Sequence, residues 1–341
     1  MLGNDWITLL SAAALAFSVL NYVLLDGTDL GVGVLLGLTR CSKQRRAMAV
    51  TILPIWDANE TWLVLGGGGL LALFPMAYAI LLPALYLPFI VMFLALILRA
   101  VALEFRDYAP DQTIKRCIDG LLMCGSLLVG GSQGIVLGTL VQGLPNNGVQ
   151  YTGNGLEWLN MFPLFCGAVL VVGYTWLGAC WLYWRTEEEL QQRSKRLAKR
   201  LAVVTIVLLV VLVAWTAKLD VRYARRLCDT LIWLPGAALF ISLSVGFTMG
   251  WRSRQEYLPL FAALGIFVLA FAMMIAALYP MIIPPNLTLQ AAASSRVSQM
   301  FMLVGFAVLI PVTLIYNTYG FKVFSGKVHP VSIRNQPELG N

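Results

Sequence analysis

Nine apolar runs, each long enough to cross a lipid bilayer as a helix, dominate this sequence. A helix needs about 20 apolar residues for this, because the hydrocarbon core is about 30 Å thick and each residue rises about 1.5 Å. Of the 341 residues, 59% are hydrophobic and only 12% are charged. The runs cover residues 6–38, 53–74, 77–103, 117–142, 160–184, 199–217, 228–250, 256–279 and 298–321. The sequence therefore predicts an all-α, polytopic transmembrane bundle of about nine spans. Since no long polar linker interrupts it, we expect residues 1–341 to form a single membrane domain.

The distribution of Lys and Arg predicts how these spans are oriented. If the N-terminus lies outside, 19 of the 24 cations fall in segments on the inner side. Such an excess is typical of cytoplasmic loops. We therefore expect an N-terminus outside, a cytoplasmic C-terminus and lipid around the bundle. The net charge of +7 is explained by these short clusters, so nucleic-acid binding is not expected.

The residue types that usually hold metals are scarce or scattered. The single histidine, His329, follows the last apolar run, so no span offers an imidazole to a haem or zinc ion. The six cysteines form no C-x-x-C pair, which excludes the usual redox and zinc spacings. The run "GGGG" at 66–69 lies within an apolar segment and predicts close helix packing rather than a phosphate-binding loop.

Two pairs of acids lie in the first two apolar runs. Asp26 and Asp29 are three residues apart in "LLDGTDLG", and Asp57 and Glu60 have the same spacing in "WDANETW". Residues three apart share one face of a helix. Because the second run returns from the inner side, we expect the four carboxyl groups at similar depth on adjacent antiparallel helices.

These acids have two interpretations that the sequence leaves open. Charged groups are costly to bury in a membrane and rarely occur there without a functional or pairing reason. In the first interpretation they form a proton path from the cytoplasm. In the second they pair with nearby arginines or cap helix starts, where a negative charge meets the positive end of the helix dipole. The arginines available for such pairs are Arg40, Arg45, Arg46 and Arg99.

Further charged and aromatic residues flank the acids. Arg99, Glu104 and Arg106 lie near the inner end of the third run, where we expect a solvated ion network of snorkelling side chains. Trp62 follows Glu60 by two residues. It is expected to pack against neighbouring helices or to line an apolar path for a gas.

Several motifs together carry a family likeness. In order along the chain these are "LLDGTDLGVGVL", "LPIWDANETWLV", "ALFPMAYA", "LILRAVALEFR" and, more weakly, "YTGN" at 151–154 and "ALYPMIIP" at 277–284. This series resembles subunit II of the cytochrome bd-type quinol oxidases, including the cyanide-insensitive branch. Ala58 and Thr28 depart from residues that are frequent in that family, but neither change removes a polar group.

The resemblance implies a role in a bacterial inner-membrane complex that oxidises quinol and reduces oxygen to water. In that family haem b, haem d and the main quinol site belong to subunit I, so this chain is expected to be its haem-free partner. Some members hold a structural quinone in subunit II, and some complexes include a small accessory subunit. By resemblance, Asp26, Asp29 and Asp57 match acidic positions of the family. We expect Asp29 and Asp57 to deliver protons and Trp62 to lie near an oxygen path.

Two other functions also fit intramembrane acids. A proton-coupled secondary transporter needs them, but transporters usually show symmetric halves and broken helices near mid-membrane. Here the acids are confined to the first two spans. A purely structural subunit, with every acid neutralised by arginine, is the other alternative.

Overall fold

The computed structural model describes residues 5–253, 255–324 and 326–328. His329 lies outside the described residues. The α-helices of the described part are α1 (Asp5–Gly37), α2 (Ser42–Ile52), α3 (Trp56–Leu73), α4 (Pro75–Ala84), α5 (Tyr86–Phe105), α6 (Gln112–Gln142), α7 (Met161–Arg185), α8 (Glu188–Leu219), α9 (Val221–Leu227), α10 (Thr230–Gly250), α11 (Leu258–Leu278), α12 (Leu289–Ala292) and α13 (Arg296–Val323).

The prediction of a helical membrane protein with about nine spans is confirmed. Within the described residues, eight helices are long and apolar enough to cross a bilayer, and the bent pair α3–α4 raises the number to nine if it is one span. The other eight are α1, α5, α6, α7, α8, α10, α11 and α13.

The predicted boundary between the second and third spans is wrong. The apolar run 77–103 predicts one span, but residues 75–84 form α4, and α5 begins only at Tyr86. The chain bends by 119° between α3 and α4. Pro75 stands at the start of α4 and Phe74 has a non-helical backbone, because a proline cannot continue the hydrogen-bond ladder of the preceding helix.

Close contacts between helices hold α1 at the centre of the bundle. α1 packs against α3, α6 and α7, while α5 packs against α6. Gly31 meets α7 so closely that an added Cβ would lie 1.8 Å from the backbone oxygen of Tyr174. Small residues allow such backbone approach between membrane helices. The result is a densely packed group of α1, α3, α5, α6 and α7, which carries the side chains of the candidate site.

The packing predicted for the "GGGG" run is confirmed for two of its four glycines. A Cβ on Gly69 would meet Phe306 of α13 at 2.7 Å, and one on Gly66 would meet Val19 of α1 at 3.5 Å. A Cβ added to Gly67 or to Gly68 would meet nothing within 4 Å, and both residues lie on the exposed face of α3.

The end of the bundle opposite to the acids carries two ordered connections. The Pro-rich segment after α11 forms strand β1 (Met281–Ile283), which pairs antiparallel with β2 (Leu287–Thr288). The α6–α7 connection contacts this hairpin through the hydrogen bond from the Leu144 backbone N–H to the Pro284 carbonyl.

Candidate functional site

A buried ion pair between α1 and α5 forms the centre of the site. Nη2 of Arg99 lies 2.6 Å from Oδ1 of Asp26. The exposed fraction is 1% for Arg99 and 0% for Asp26. Two buried charges are tolerated only when each compensates the other, since removal from water costs several kcal/mol per ion. Asp26 therefore fixes the position of Arg99, and Arg99 that of Asp26.

Asp29 lies one helical turn further along α1 and bonds to α3. Nδ2 of Asn59 donates to Oδ2 of Asp29 at 2.8 Å, and both side chains are buried. Asp29 also interacts electrostatically with Asp26, Arg99 and Glu60. The prediction that Asp26 and Asp29 share one buried face of α1 is thus confirmed.

The two acids of α3 differ in position. Oε1 of Glu60 lies 3.9 Å from Nη2 of Arg99, and 28% of its side chain remains exposed. Asp57 is exposed in the first turn of the helix. Because successive residues turn by about 100°, the buried Asn59 and the exposed Asp57 point to different sides of α3. The expected grouping of four acids is therefore correct for three, with Asp57 outside the buried cluster.

The expected solvated network of Arg99 and Glu104 is wrong. Arg99 is buried against Asp26, whereas the exposed Glu104 accepts a hydrogen bond from Nε1 of Trp56 at 3.2 Å. Residues five apart on a helix point in different directions, so these two side chains of α5 leave on separate sides. Arg106 joins a second ionic group, in which its Nε lies 2.6 Å from Oδ1 of Asp119 on α6.

A chain of polar groups beside Asp26 was missed from the sequence. Tyr174 donates its hydroxyl to Oε1 of Gln133 at 2.6 Å, and Nε2 of Gln133 donates to the Tyr22 hydroxyl at 3.0 Å. Tyr22 in turn interacts with Asp26 one turn along α1. The signal available in the sequence was Gln133, an amide within the apolar run of α6. The chain extends the polar region from α1 to α7.

Trp62 is fully buried between α1 and α3. Its ring meets Phe17 edge to face, with the ring centroids 5.9 Å apart. The packing role expected from the sequence is therefore present.

A cavity of about 270 Å³ opens between the start of α3 and the end of α13. Its lining includes Asn59, the partner of Asp29, and Asn317 of α13. Neither polar atom of the buried Asn317 side chain has a hydrogen-bond partner among the described residues, and the same holds for Oδ1 of Asn59 and Oδ1 of Asp29. Buried polar groups are normally satisfied by protein or by ordered water. A cavity of this size holds several waters, each of which occupies about 30 Å³ in the liquid.

This arrangement can bind and move protons. Two carboxyl groups and a third, half-buried one lie around a single guanidinium group, and an adjoining cavity contains two amide side chains in a mainly apolar lining. A purely apolar packing role would not require these groups.

Comparison with known proteins places the chain in a family. The family model described as "Cytochrome bd terminal oxidase subunit II" matches residues 7–324. A protein of Haemophilus influenzae described as "Probable cytochrome oxidase subunit 2" is 25% identical, covering 95% of this chain and 94% of that protein.

Two further relatives carry related descriptions. "Cytochrome bd-I ubiquinol oxidase subunit 2" of Escherichia coli is 34% identical over 58% of this chain and 54% of its own length. "Cytochrome bd ubiquinol oxidase subunit 2" of Bacillus subtilis is 26% identical, covering 90% of this chain and 93% of that protein.

The fold is similar to that of a chain in the solved bd oxidase of Geobacillus thermodenitrificans. The TM-score is 0.78 at 16% sequence identity, with 94% of this chain and 98% of that chain covered. This comparison extends the likeness from sequence motifs to the arrangement of the helices.

Proposed function

The chain belongs to the family of subunit II of the cytochrome bd terminal oxidases, and on that premise we propose that it carries protons from the cytoplasm towards the haem-bearing subunit I. It is a multi-pass subunit of a bacterial respiratory quinol oxidase. Haem b and haem d, held by subunit I, supply the electron transfer and the oxygen chemistry. The family assignment replaces the secondary-transporter alternative.

The physical need for a proton path follows from charge balance. An electron that reaches a buried redox centre leaves negative charge in a region of low dielectric constant, where an unbalanced charge is costly. Proton uptake removes that cost, and reduction of oxygen to water consumes protons as well as electrons. When quinol protons are released outside and these protons are drawn from inside, turnover builds a proton-motive force.

The excess of carboxyl groups around Arg99 is the observation that carries the proposal. Arg99 balances the charge of Asp26, its partner at 2.6 Å. A second buried carboxylate would have no such partner, and an unpaired buried charge is strongly unfavourable. Asp29 therefore rests in its protonated form and is ready to give up that proton when a more favourable acceptor arises.

The cavity between α3 and α13, which is lined in part by Asn59 and Asn317, supports a route for proton uptake. Water in this cavity would reach Asn317 and then Asn59, whose amide positions the Asp29 carboxyl group. From Asp29 the proton would pass along the charged side of the cluster to Glu60, which is 3.9 Å from Arg99 and partly exposed. In this route the amides orient the water and the carboxyl groups, and the carboxyl groups carry the proton.

The exposed face of α3 is the surface that best fits subunit I. Thr61, Val64, Gly68 and Leu71 form a helical stripe that begins at Asp57, and Val64 is 72% exposed. Small residues such as Gly68 permit another helix to approach closely. An acid in this stripe would be costly against lipid but acceptable at a subunit interface. Asp57 would then pass protons onward at the contact with subunit I.

An apolar cavity between the central helices fits a structural quinone or its isoprenoid chain. It measures about 370 Å³ and lies between α6, α7, α8 and α11. Its lining includes Thr205, whose buried hydroxyl has no partner among the described residues. That hydroxyl would donate to a quinone carbonyl, while the apolar walls would hold the chain.

The proposed proton path is tested by substitutions that remove a titratable group without changing its size. In the purified complex, Asp29→Asn is expected to slow quinol-driven oxygen consumption by at least about tenfold, since proton transfer by a positioned group contributes about 10²–10⁴-fold. The haem bands in the visible spectrum should be unchanged. Glu104→Gln is the matched control, because that acid is exposed and accepts a hydrogen bond from Trp56, outside the acid cluster.

The double substitution Asp29→Asn with Asp57→Asn decides between relay and scaffold. A full rate of oxygen consumption, with normal haem bands, would contradict the relay. It would favour the purely structural subunit in which arginines merely neutralise the acids.

A further inference from the structure

A second charged cavity lies at the same end of the bundle as the acid cluster but apart from it. It measures about 480 Å³ and is formed by the end of α1, by α2, by the end of α7 and by the first turns of α8. Three arginines of α8 line it: Arg193, Arg196 and Arg200. The proton path proposed above uses none of these residues.

The three arginines form a row without acidic partners. Their spacings of three and four residues place them on one face of α8, over about 10 Å of its length. None of them takes part in an ion pair among the described residues. Arg193 donates from Nη1 to Oε1 of Gln44 at 3.3 Å, and Gln44 in turn donates to Glu189, which is the nearest acid in this hydrogen-bonded chain. The positive charge of this row is therefore not neutralised by an ion pair among the described residues.

The two lysines of the same segment are engaged elsewhere. The ammonium groups of Lys195 and Lys199 lie over the Trp251 ring, at 5.9 Å and 5.5 Å from its centroid. They occupy another face of α8. The arginines are thus separated from the other cations of the segment and are gathered at the cavity.

The wall of the cavity below the arginines is apolar. It is formed by leucine and methionine side chains from four helices: Leu35, Leu38, Met48, Leu182, Leu190 and Leu197. A soluble anion would gain nothing from these groups. An amphiphile with an anionic head and a hydrocarbon chain would use both parts of the site.

The position of the cavity along α8 suits a lipid headgroup. Arg193, Arg196 and Arg200 are exposed, and the long apolar part of α8 begins at Leu201. The arginines therefore lie where the helix passes from the hydrocarbon core to the polar interface. The charge distribution predicts that this interface faces the cytoplasm, and basic pockets between helices on that side attract anionic headgroups.

We propose that this cavity is a binding site for one anionic phospholipid, with its phosphodiester held by the arginine row of α8 and an acyl chain against the apolar wall. Guanidinium groups bind phosphate oxygens through paired, charge-assisted hydrogen bonds. The site would anchor the ends of α1, α7 and α8 to the inner leaflet. The inference is independent of the proton path.

The test measures lipid binding to the purified, delipidated oxidase complex by native mass spectrometry. Dioleoylphosphatidylglycerol is titrated into the wild-type complex and into a triple variant, Arg193→Gln, Arg196→Gln and Arg200→Gln. We expect the tightest binding step to weaken by about tenfold or more in the variant, since each basic residue near an anionic lipid contributes to affinity. The matched control is Lys43→Gln, Lys115→Gln and Arg116→Gln, which removes three cations outside the cavity and should bind as the wild type does.

Other ligands and a second variant separate the alternatives. Zwitterionic dioleoylphosphatidylcholine should bind at least about tenfold more weakly than phosphatidylglycerol. Inorganic phosphate should not displace the lipid, and displacement by it would overturn the proposal in favour of a simple anion site. Leu38→Trp places a bulky ring on the apolar wall of the cavity and keeps the arginines, so it should also weaken the tight step. This variant decides the question if the triple variant does not assemble. Wild-type affinity in either assembled variant would overturn the proposal. An equal loss of affinity in the control variant with Lys43, Lys115 and Arg116 replaced would overturn it as well.

Discussion

Arg99 stabilises several acidic groups at once. It lies 2.6 Å from Asp26 and 3.9 Å from Glu60, and it interacts electrostatically with Asp29. The guanidinium group carries only one positive charge, so it cannot balance three carboxylates at once. In the proposed function, Arg99 therefore limits how many of these carboxyl groups are ionised together.

Loss of the Arg99 charge should destabilise the subunit. In Arg99→Gln, Asp26 would be a buried carboxylate without a cation, and breaking a buried ion pair in this way costs about 3–5 kcal/mol. We expect a lower thermal midpoint of the complex and a lower yield of assembled oxidase. Arg116→Gln, an exposed arginine on α6, is the control and should change stability by less than about 0.5 kcal/mol.

A second substitution distinguishes charge from packing at this position. Asp26→Asn combined with Arg99→Gln should restore much of the lost thermal stability, because no buried charge remains. If the double variant is as unstable as Arg99→Gln alone, packing rather than charge compensation explains the loss.

The sequence predicts the acids of the site and includes Arg99 among their possible partners, but it does not predict Asn59. Asp26, Asp29 and Glu60 were recognised because a carboxyl group in an apolar run is costly and therefore conspicuous. Asn59 has no charge, and its role depends on the rotation of α3 relative to α1. Asp57 shares the acidic motif yet is exposed, because the rotation that buries Asn59 turns it outward. Rotation about a helix axis is fixed by tertiary packing, which the motif does not contain.

At the scale of helices, close backbone contacts set the geometry of the site. Gly31 and Gly178 let α1 and α7 touch, and Gly125 lies against Ala95 and Arg99 where α6 meets α5. These contacts bring Asp26 to Arg99 and Tyr22 to Gln133. Larger residues at the crossings would separate the acids from their partners.

Gly31→Ala tests the importance of the α1–α7 crossing. The new Cβ would lie 1.8 Å from a backbone oxygen of α7, so the helices would have to move apart. We expect destabilisation by about 1–3 kcal/mol, which is typical of overpacked cores, seen as a lower thermal midpoint of the complex. Gly120→Ala on α6 is the control, because its Cβ would meet nothing within 4 Å. Equal midpoints in the two variants would show that the crossing tolerates an extra carbon.

The α6–α7 connection is held by a tyrosine and a glutamate in contact. Tyr151 donates its hydroxyl to Glu157, and Glu157 accepts a further bond from the Asn154 backbone N–H at 3.0 Å. Burial and then the bond to Glu157 raise the pKa of Tyr151 to about 12. Burial opposes ionisation of Glu157, but the hydrogen bonds it accepts from Tyr151 and from backbone N–H groups lower its pKa.

The pKa of Glu157 predicts how the order of this loop depends on pH. A carboxyl group with a lowered pKa in the fold contributes stability above its ordinary value of 4.5, and this contribution is lost as the pH falls through the folded value. At pH 7, Glu157→Gln should speed hydrogen–deuterium exchange severalfold in a peptide covering 151–160, while a peptide covering 143–150 is unchanged. When both proteins are compared at the same pH, the difference in their exchange rates should shrink as that pH falls below 4.5. A difference that persists in acid would rule out the carboxylate as its cause.

The elements themselves follow largely from the apolar runs. Length and hydropathy are enough to predict a membrane helix, because the bilayer fixes the number of residues required. The break between α4 and α5 was not predicted, because it lies inside the apolar run 77–103. The short β1–β2 hairpin was not predicted either, because the Pro-rich segment after the run 256–279 carries no strand pattern. A proline in an apolar run signals such a break only when the surrounding helices accommodate it.

At the scale of the whole molecule, charge and polarity concentrate towards one end of the bundle. The acid cluster, the Arg106–Asp119 pair and the arginine row of α8 all lie towards the end that the distribution of Lys and Arg predicts to be cytoplasmic. In the proposed function the subunit takes up protons on the side where they are available, and by our inference it holds an anionic lipid on the same side.

Proton uptake by the reduced complex reports on the proposed proton path without relying on the overall turnover rate. The fully reduced oxidase is mixed with oxygen in weakly buffered solution containing a pH-indicator dye, and proton uptake is followed alongside the haem absorbance. In Asp29→Asn we expect proton uptake to be slower by at least about tenfold than in the wild type and in Glu104→Gln. The rate of oxygen binding at the haem should be unchanged. Proton uptake at the wild-type rate in an Asp29→Asn complex with full haem content would contradict the proposed proton path.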